Sequence, residues 1–230
     1  VWREAMSFEI ECLSCGALTS PSVGSCPYCK TIVAPTKKLE KEAPQITAFK
    51  KLYQDSKLPN ALYMGKKLWD ESEKAKQSGT FLAVFAKVLF ETESYPSLLN
   101  AVIVQGQFLK KPVAELNELS EIIQARPLLD KTKNDLGERQ LKLILKNNPK
   151  SAYAHFILGT HLYYSDNEIR SSIIHLEECV KHHPKFLRAW GCLGAIYKEL
   201  GKTHLAARAF KEAAKLETNS KMKKFFKSQI

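Results

Sequence analysis

The chain lacks any run of roughly eighteen apolar residues, the length a membrane-spanning helix needs. Its best apolar stretch, residues 81–90, is short and broken by Lys87, so it is expected to form a buried helix. Also missing are a glycine-rich phosphate loop, a Ser/His/Asp order and paired carboxylates in a plausible cleft. An enzyme is therefore the weakest functional class, and no small-molecule substrate is evident. Outside the N-terminal segment no stretch alternates apolar and polar residues long enough for a strand, so the body is expected to be all-α. No secretory signal precedes the cysteines, and Met6 is expected to be the natural start, with residues 1–5 left over from upstream. Acidic residues are absent from the tail, where Lys221, Lys223, Lys224 and Lys227 form the one concentrated basic stretch.

What is present is an ordinary globular composition with a net charge of +11. At 230 residues the chain is long enough for one real core and a small satellite module. The excess lysines are spread through helical segments at solvent-facing spacing, which marks a solvated surface more than a nucleic-acid footprint. Cysteine is scarce and concentrated. Four of the six lie in two Cys-x-x-Cys pairs, Cys12/Cys15 and Cys26/Cys29, separated by ten residues.

Four thiolates at that spacing suit one tetrahedral Zn²⁺, and few other uses need both pairs. Gly16 supplies permissive backbone after the first pair, and Pro27 pre-sets the turn inside the second. Residues 16–25 are just long enough for a short hairpin between the pairs. A redox dithiol would need only one pair, at the start of a helix in a βαβ unit, and that pattern is absent. With four sulfurs bound, no coordination position stays open to water, so the ion would be structural. The segment 8–32 resembles the short zinc ribbons found at the ends of many bacterial and archaeal proteins. Four metal-committed cysteines fit a reducing compartment, and a cytoplasmic location is expected. Cys179 and Cys192 are read as small buried hydrophobes on helix faces.

Residues 33–45 are charged, bracketed by prolines and poor in large apolar residues, as in a linker. After them Pro59 sits at a helix start, Gly79 is expected to end that helix and Thr80 to cap the next. Pro96 opens another, and Pro112 and Pro127 divide the segments that follow. Residues 46–130 form a helical region for which two readings stay open, diverged repeats or a distinct helical cap.

The last third contains an internal repeat. Pro149, Ala154, Leu158 and Gly159 match Pro184, Ala189, Leu193 and Gly194 at an offset of 35 residues. Asn167, Ser172, Leu176 and Cys179 match Gly201, Ala206, Phe210 and Ala213 at an offset of 34. The second copy, with Trp190, Leu193, Gly194, Tyr197, Gly201, Ala206, Phe210 and Ala213 in register, resembles a tetratricopeptide repeat (TPR) at nearly every signature position. The first keeps Leu158, Gly159 and Pro184 but has Leu162 where tyrosine is usual. Leu141 and Ile144 resemble the second helix of a preceding repeat, whose first helix is expected within residues 113–124.

The resemblance implies a mainly α fold: a TPR-like α-solenoid of antiparallel helix pairs over 131–220, a capping helix over 221–230 and the small N-terminal zinc ribbon. In the cap, Met222, Phe225 and Phe226 are expected inside. Small residues would lie where paired helices approach, with large ones filling between pairs. The resemblance also implies a concave face that docks extended peptides or partner helices, with Tyr153, Phe156, Thr160 and Tyr163 outward in the first copy and Arg188 and Lys198 in the second. An aromatic strip beside two cations would suit a peptide with apolar anchors and an acidic residue. Packing against a neighbouring repeat is an equal alternative for each aromatic. The Lys/Asn/Arg set with which the family's co-chaperones hold a C-terminal carboxylate is absent.

All six histidines fall at or after position 155. His182 and His183 are adjacent, so on a helix they point about 100° apart and cannot chelate one ion well. They are expected at an exposed helix end, where the dipole favours them. The function expected is a non-enzymatic adaptor that docks a protein or peptide, with the ribbon as second docking module. The alternative is a nucleic-acid-associated factor using the ribbon and the basic tail, which the ribbon's few cations disfavour.

Overall fold

Apolar side chains recurring at three and four positions become the buried stripes of successive helices in the computed structural model, which describes residues 10–11, 18–19, 43–129, 136–164 and 168–230. The chain divides into two compact units, Val1–Ala43 and Pro44–Ile230. In the first, strands β1 (Ile10–Glu11) and β2 (Leu18–Thr19) pair antiparallel, Ile10 opposite Thr19 and Glu11 opposite Leu18. In sequence this pair brackets the first Cys-x-x-Cys, whereas the expected hairpin lay between the two pairs. Cys12, Cys15, Cys26 and Cys29 lie outside the described residues.

The second unit is helical among its described residues. Its elements are α1 (Pro44–Gln54), α2 (Leu58–Glu71), the short α3 (Glu73–Lys76), α4 (Gly79–Thr92), α5 (Pro96–Gln107) and α6 (Ala114–Ala125). A 3₁₀ turn (Arg126–Leu128) follows, then α7 (Leu136–Asn147), α8 (Ala152–Tyr164), α9 (Ile169–His182), α10 (Leu187–Glu199), α11 (Thr203–Leu216) and α12 (Ser220–Ser228). Because α1 begins at Pro44, the end of the expected linker is already helical.

Consecutive helices pack as pairs, α1 with α2, α4 with α5, α6 with α7, α8 with α9 and α10 with α11, and α12 closes on α11. Successive pairs also touch, α7 on α8 and α9 on α10, giving a TPR-like stack. The first helix expected within 113–124 is α6, and it packs on α7 as the partner of Leu141 and Ile144. The helix starts follow local chemistry. Pro59 and Pro96 occupy the first turns of α2 and α5, where a missing N–H costs nothing. Ser78, not Thr80, caps α4, its hydroxyl accepting from Phe81 N–H at 3.3 Å. Gly79 belongs to the first turn of α4 rather than to the end of α2, which stops at Glu71.

Packing within the pairs is small against large. A Cβ on Gly194 of α10 would stand 2.6 Å from the Phe210 ring of α11. A Cβ on Gly159 of α8 would meet Leu176 of α9 at 3.0 Å. The same device operates upstream, where a Cβ on Gly65 would lie 2.5 Å from Phe85 in the Phe49–Phe81–Phe85 cluster. Cys179 is fully buried, and burial pushes its thiol pKa well up, as befits an inert core residue.

The cap differs from expectation in one respect. Phe226 is buried, its ring stacked 6.1 Å from that of Phe210, but Met222 and Phe225 are 44% and 50% exposed. The nine-residue helix buries Phe226 against α10 and α11 and leaves the rest of its apolar arc uncovered among the described residues.

One position departs from the small-residue rule in chemistry. Where the second copy has Ala206, the first has Ser172, fully buried, with no hydrogen-bond partner for its hydroxyl among the described residues. Ser172→Ala is expected to stabilise the fold by about 1 kcal/mol, because a buried unsatisfied hydroxyl disappears. Gly194→Ala is expected to destabilise it by about 1–3 kcal/mol through overpacking against Phe210. Urea unfolding followed by circular dichroism measures both.

Candidate functional site

The face shared by the first turns of α8 and α10 receives the end of α4. That helix is almost wholly apolar until its last turn, which carries Phe90 and Glu91 and stops on Glu93 in the left-handed region (φ 49°). Tyr95 is left-handed as well (φ 57°) before Pro96 starts α5. Two non-glycine residues in that region cost on the order of 1–3 kcal/mol each, so surrounding contacts must hold the turn. Phe90 and Glu91 point onto α8 and Glu93 onto α10, while the centre of the Tyr95 ring lies 3.9 Å from Lys66 Nζ of α2.

Phe90 packs edge-on against Tyr153, ring centres 5.0 Å apart. Tyr153 and Phe156 in turn pack on Phe186, at 5.5 and 4.6 Å. Glu91 is buried, with its side chain only 2% exposed. One of its oxygens accepts from the Tyr53 hydroxyl of α1 and the Tyr153 hydroxyl of α8, both at 2.6 Å, and lies 2.9 Å from His183 Nε2. The two phenol oxygens are 3.1 Å apart. Burial, then the adjacent carboxylate, pushes both tyrosine pKa values well above the ordinary phenol value.

Glu93 reaches across the same face to two guanidinium groups, Arg126 at 2.9 Å and Arg188 at 2.8 Å. Arg126 belongs to the turn after α6 and Arg188 to the first turn of α10. The Arg188 guanidinium also lies 4.8 Å over the Phe156 ring. Beyond these arginines a depression of about 370 Å³ runs along α8, lined by Phe156, Ile157, Thr160 and Tyr164, with Cys192 of α10 at its side.

The six residues expected on the docking face therefore separate. Phe156, Thr160 and Arg188 border the depression. Phe156 is only 1% exposed and Tyr153 is buried, so these two serve packing, the alternative reading of the aromatics; neighbouring rings and Glu91 take the surfaces a partner would need. Thr160 turns its hydroxyl onto its own helix, bonding the Phe156 carbonyl at 2.9 Å. Tyr163 donates to Glu199, which raises its pKa to about 12, and Lys198 bonds Gln229 of the cap's C-terminus. Neither borders the depression. Glu91, Glu93, Arg126 and Tyr53 were not expected at this face. They belong to segments without repeat signature, and the one sequence signal is two glutamates closing an otherwise apolar helix.

The histidines also part company. His182 and His183 do end α9, but both are half-buried rather than exposed, His182 facing Glu178 at 3.2 Å and His183 facing Glu91. His155 lies with one ring nitrogen 3.1 Å from the Pro149 carbonyl, so that nitrogen donates and the other accepts from His175 at 2.9 Å. Burial disfavours the charged form of each ring and lowers both pKa values. Among the described residues no group of three or more His, Cys, Asp or Glu is placed to hold a metal, and no helix is long and apolar enough to cross a membrane.

No protein-family model matches the chain. It is 31% identical over 123 residues to Superkiller protein 3 of Schizosaccharomyces pombe, a match covering 53% of this chain and 8% of that protein. Among solved structures it is similar to TTC0263, a thermophilic TPR protein of Thermus thermophilus, at 16% identity and a TM-score of 0.46 over 80% of this chain and 96% of that one. Similarity to YrrB, a TPR protein with an unusual peptide-binding site, is 15% identity and a TM-score of 0.39 over 80% and 91%. The TPR2AB domain of yeast Sti1 in complex with pHSP90 gives 13% and 0.38 over 80% and 94%.

The two kinds of shifted group set a pH window. The histidine pair has folded pKa values below the ordinary 6.5, so its contribution is present above that pH and is lost as pH falls. Tyr53 and Tyr153 have folded values above the ordinary 10.0, so theirs is complete below pH 10 and is lost as pH rises. Burial raises the Cys179 and Cys192 thiols above the ordinary 9.0 as well, so the melting temperature is expected to be flat from about pH 6.5 to about 9 and to fall on both sides. Tyr153→Phe should lower stability by about 1–3 kcal/mol, by removing a donor from a buried carboxyl group, and should soften the alkaline limb. Thermal melts of both proteins across pH 5–11 check this.

Proposed function

We propose that the chain is a non-enzymatic scaffold that docks a protein partner, as an extended peptide, on the face shared by α8 and α10. The observation that carries this reading is the depression beside Phe156 and Thr160, with Arg126 and Arg188 at one end and the 73%-exposed Tyr164 at the other. A concave strip with an aromatic at one end and paired guanidiniums at the other matches how peptides are anchored, by a few aromatic and arginine contacts. The stack of helix pairs supplies a rigid floor, since Ile157 and Phe156 below the strip are core residues.

We further propose that Cys12, Cys15, Cys26 and Cys29 hold one structural Zn²⁺, forming a second docking module. The donor set and its spacing support this, as does the antiparallel pairing of Ile10–Glu11 with Leu18–Thr19 on either side of the first cysteine pair. Zinc would supply to this segment the roughly 10–16 kcal/mol typical of structural zinc peptides.

The docking face is tested by affinity purification from the native cell with Arg188→Glu and Thr160→Lys, each checked for an unchanged melt. Recovery of the main partner is expected to fall at least about 30-fold, the loss of one arginine-centred hot spot. Undiminished recovery would move the docking site elsewhere. For the metal, elemental analysis of protein purified under reducing conditions is expected to give one zinc per chain. Chelation should remove it with nearly all helical circular dichroism retained; loss of most helicity would contradict independent modules.

A further inference from the structure

The α4–α5 turn carries two carboxylates with opposite surroundings. Glu91 is sealed, three polar groups on one oxygen, and it cannot leave without stranding two phenols. Glu93 is 42% exposed and makes its contacts at the rim of the depression. Among the described residues it is the one carboxylate on either Arg126 or Arg188, so two guanidiniums share a single negative charge. Those arginines arrive from different helix pairs, are 53% and 32% exposed, and frame the end of the strip where Phe156 and Ile157 form the floor. A rim ion pair of this kind is held weakly and is sensitive to salt.

We infer that Arg126 and Arg188 form a carboxylate seat which Glu93 occupies in cis, and that an acidic side chain of a protein partner takes the seat in its place. The inference rests on the docking-face reading and adds the partner's chemistry and its built-in competitor. Charge complementarity selects the occupant. The seat keeps a net positive charge even with Glu93 bound, and the strip leading away from it toward Tyr164 offers room for an apolar residue next to the acidic one. The chain's own residues 90–93, Phe-Glu-Thr-Glu, already show the combination this face accepts, an aromatic on Tyr153 and a carboxylate on the arginines. Glu93 keeps the seat filled until a segment presenting more than a lone carboxylate arrives. It thereby screens against single anions.

The test uses the full chain and a fluorescein-labelled peptide copying residues 89–95, with a control peptide in which both glutamates are glutamine. Fluorescence anisotropy is read at low salt for wild type, Glu93→Gln and the triple variant Glu93→Gln/Arg126→Gln/Arg188→Gln, each confirmed folded by its melt. If Glu93 fills the seat for most of the time, its removal is expected to tighten binding about five- to tenfold. The triple variant and the control peptide should bind no better than wild type does, and 0.5 M salt should weaken the Glu93→Gln complex. Glu93→Asp, which keeps the charge on a shorter arm, should lie between wild type and Glu93→Gln. Equal affinity of wild type and Glu93→Gln, equal affinity of the triple variant, or no saturable binding by Glu93→Gln would each overturn the seat. A sensitive native-partner purification alongside a failed peptide titration removes the seat and leaves the docking face. A titration that behaves as expected with an insensitive purification removes the docking face as the partner's site and leaves the seat.

Discussion

Burying a carboxyl group is costly unless its oxygens are met by donors, and the second unit is organised around meeting that cost at Glu91. The donors come from α1, from α8 and from the turn between α9 and α10. Helices that are close to one another in sequence would pair without it. What the cluster adds is a tie across the second unit: residues 53 and 91, from segments with no repeat signature, are pinned to residues 153 and 183 of the first clear repeat. The tie is geometrically strict, since one oxygen serves all three groups. It sets how far the α4 end advances over α8, and with it where Phe90 meets Tyr153 and where Glu93 can reach.

The repeat physics was largely readable from the residues alone. Gly159 and Gly194 are small for the reason the motif implies, a facing Leu176 and Phe210 at less than a methyl group's clearance. The pairing of α6 with α7 was visible in Leu141 and Ile144. The site was less legible, and the reason is physical. Periodicity identifies a residue's face on its own helix but says nothing about which distant helix covers that face. Tyr153 and Phe156 do lie on the face expected of them, but α4 and Phe186 cover it. Met222 and Phe225 fail in the opposite sense, because no described helix covers that side of the apolar arc of α12. No local rule assigns a left-handed conformation to a glutamate and a tyrosine, so the turn that aims Glu93 could not be foreseen. The cysteine spacing stands on chemistry alone, outside the described residues.

If the rim arginines seat a partner's carboxylate as proposed, Glu91 and Glu93 explain how the fold could hold that face half closed without losing it. Had both been buried, the arginines would be structural and the rim neutral. Had neither been held, the left-handed Glu93 would lose the two ion pairs that keep it in place. The proposed division of labour, Glu91 fixed and Glu93 exchangeable, would let the turn stay put while its second carboxylate left the arginines. Occupation by a partner then requires no movement of α4, only a change of ion pair at Arg126 and Arg188. The strained turn becomes useful because Glu91 bears the positional demand and leaves Glu93 free to serve the rim.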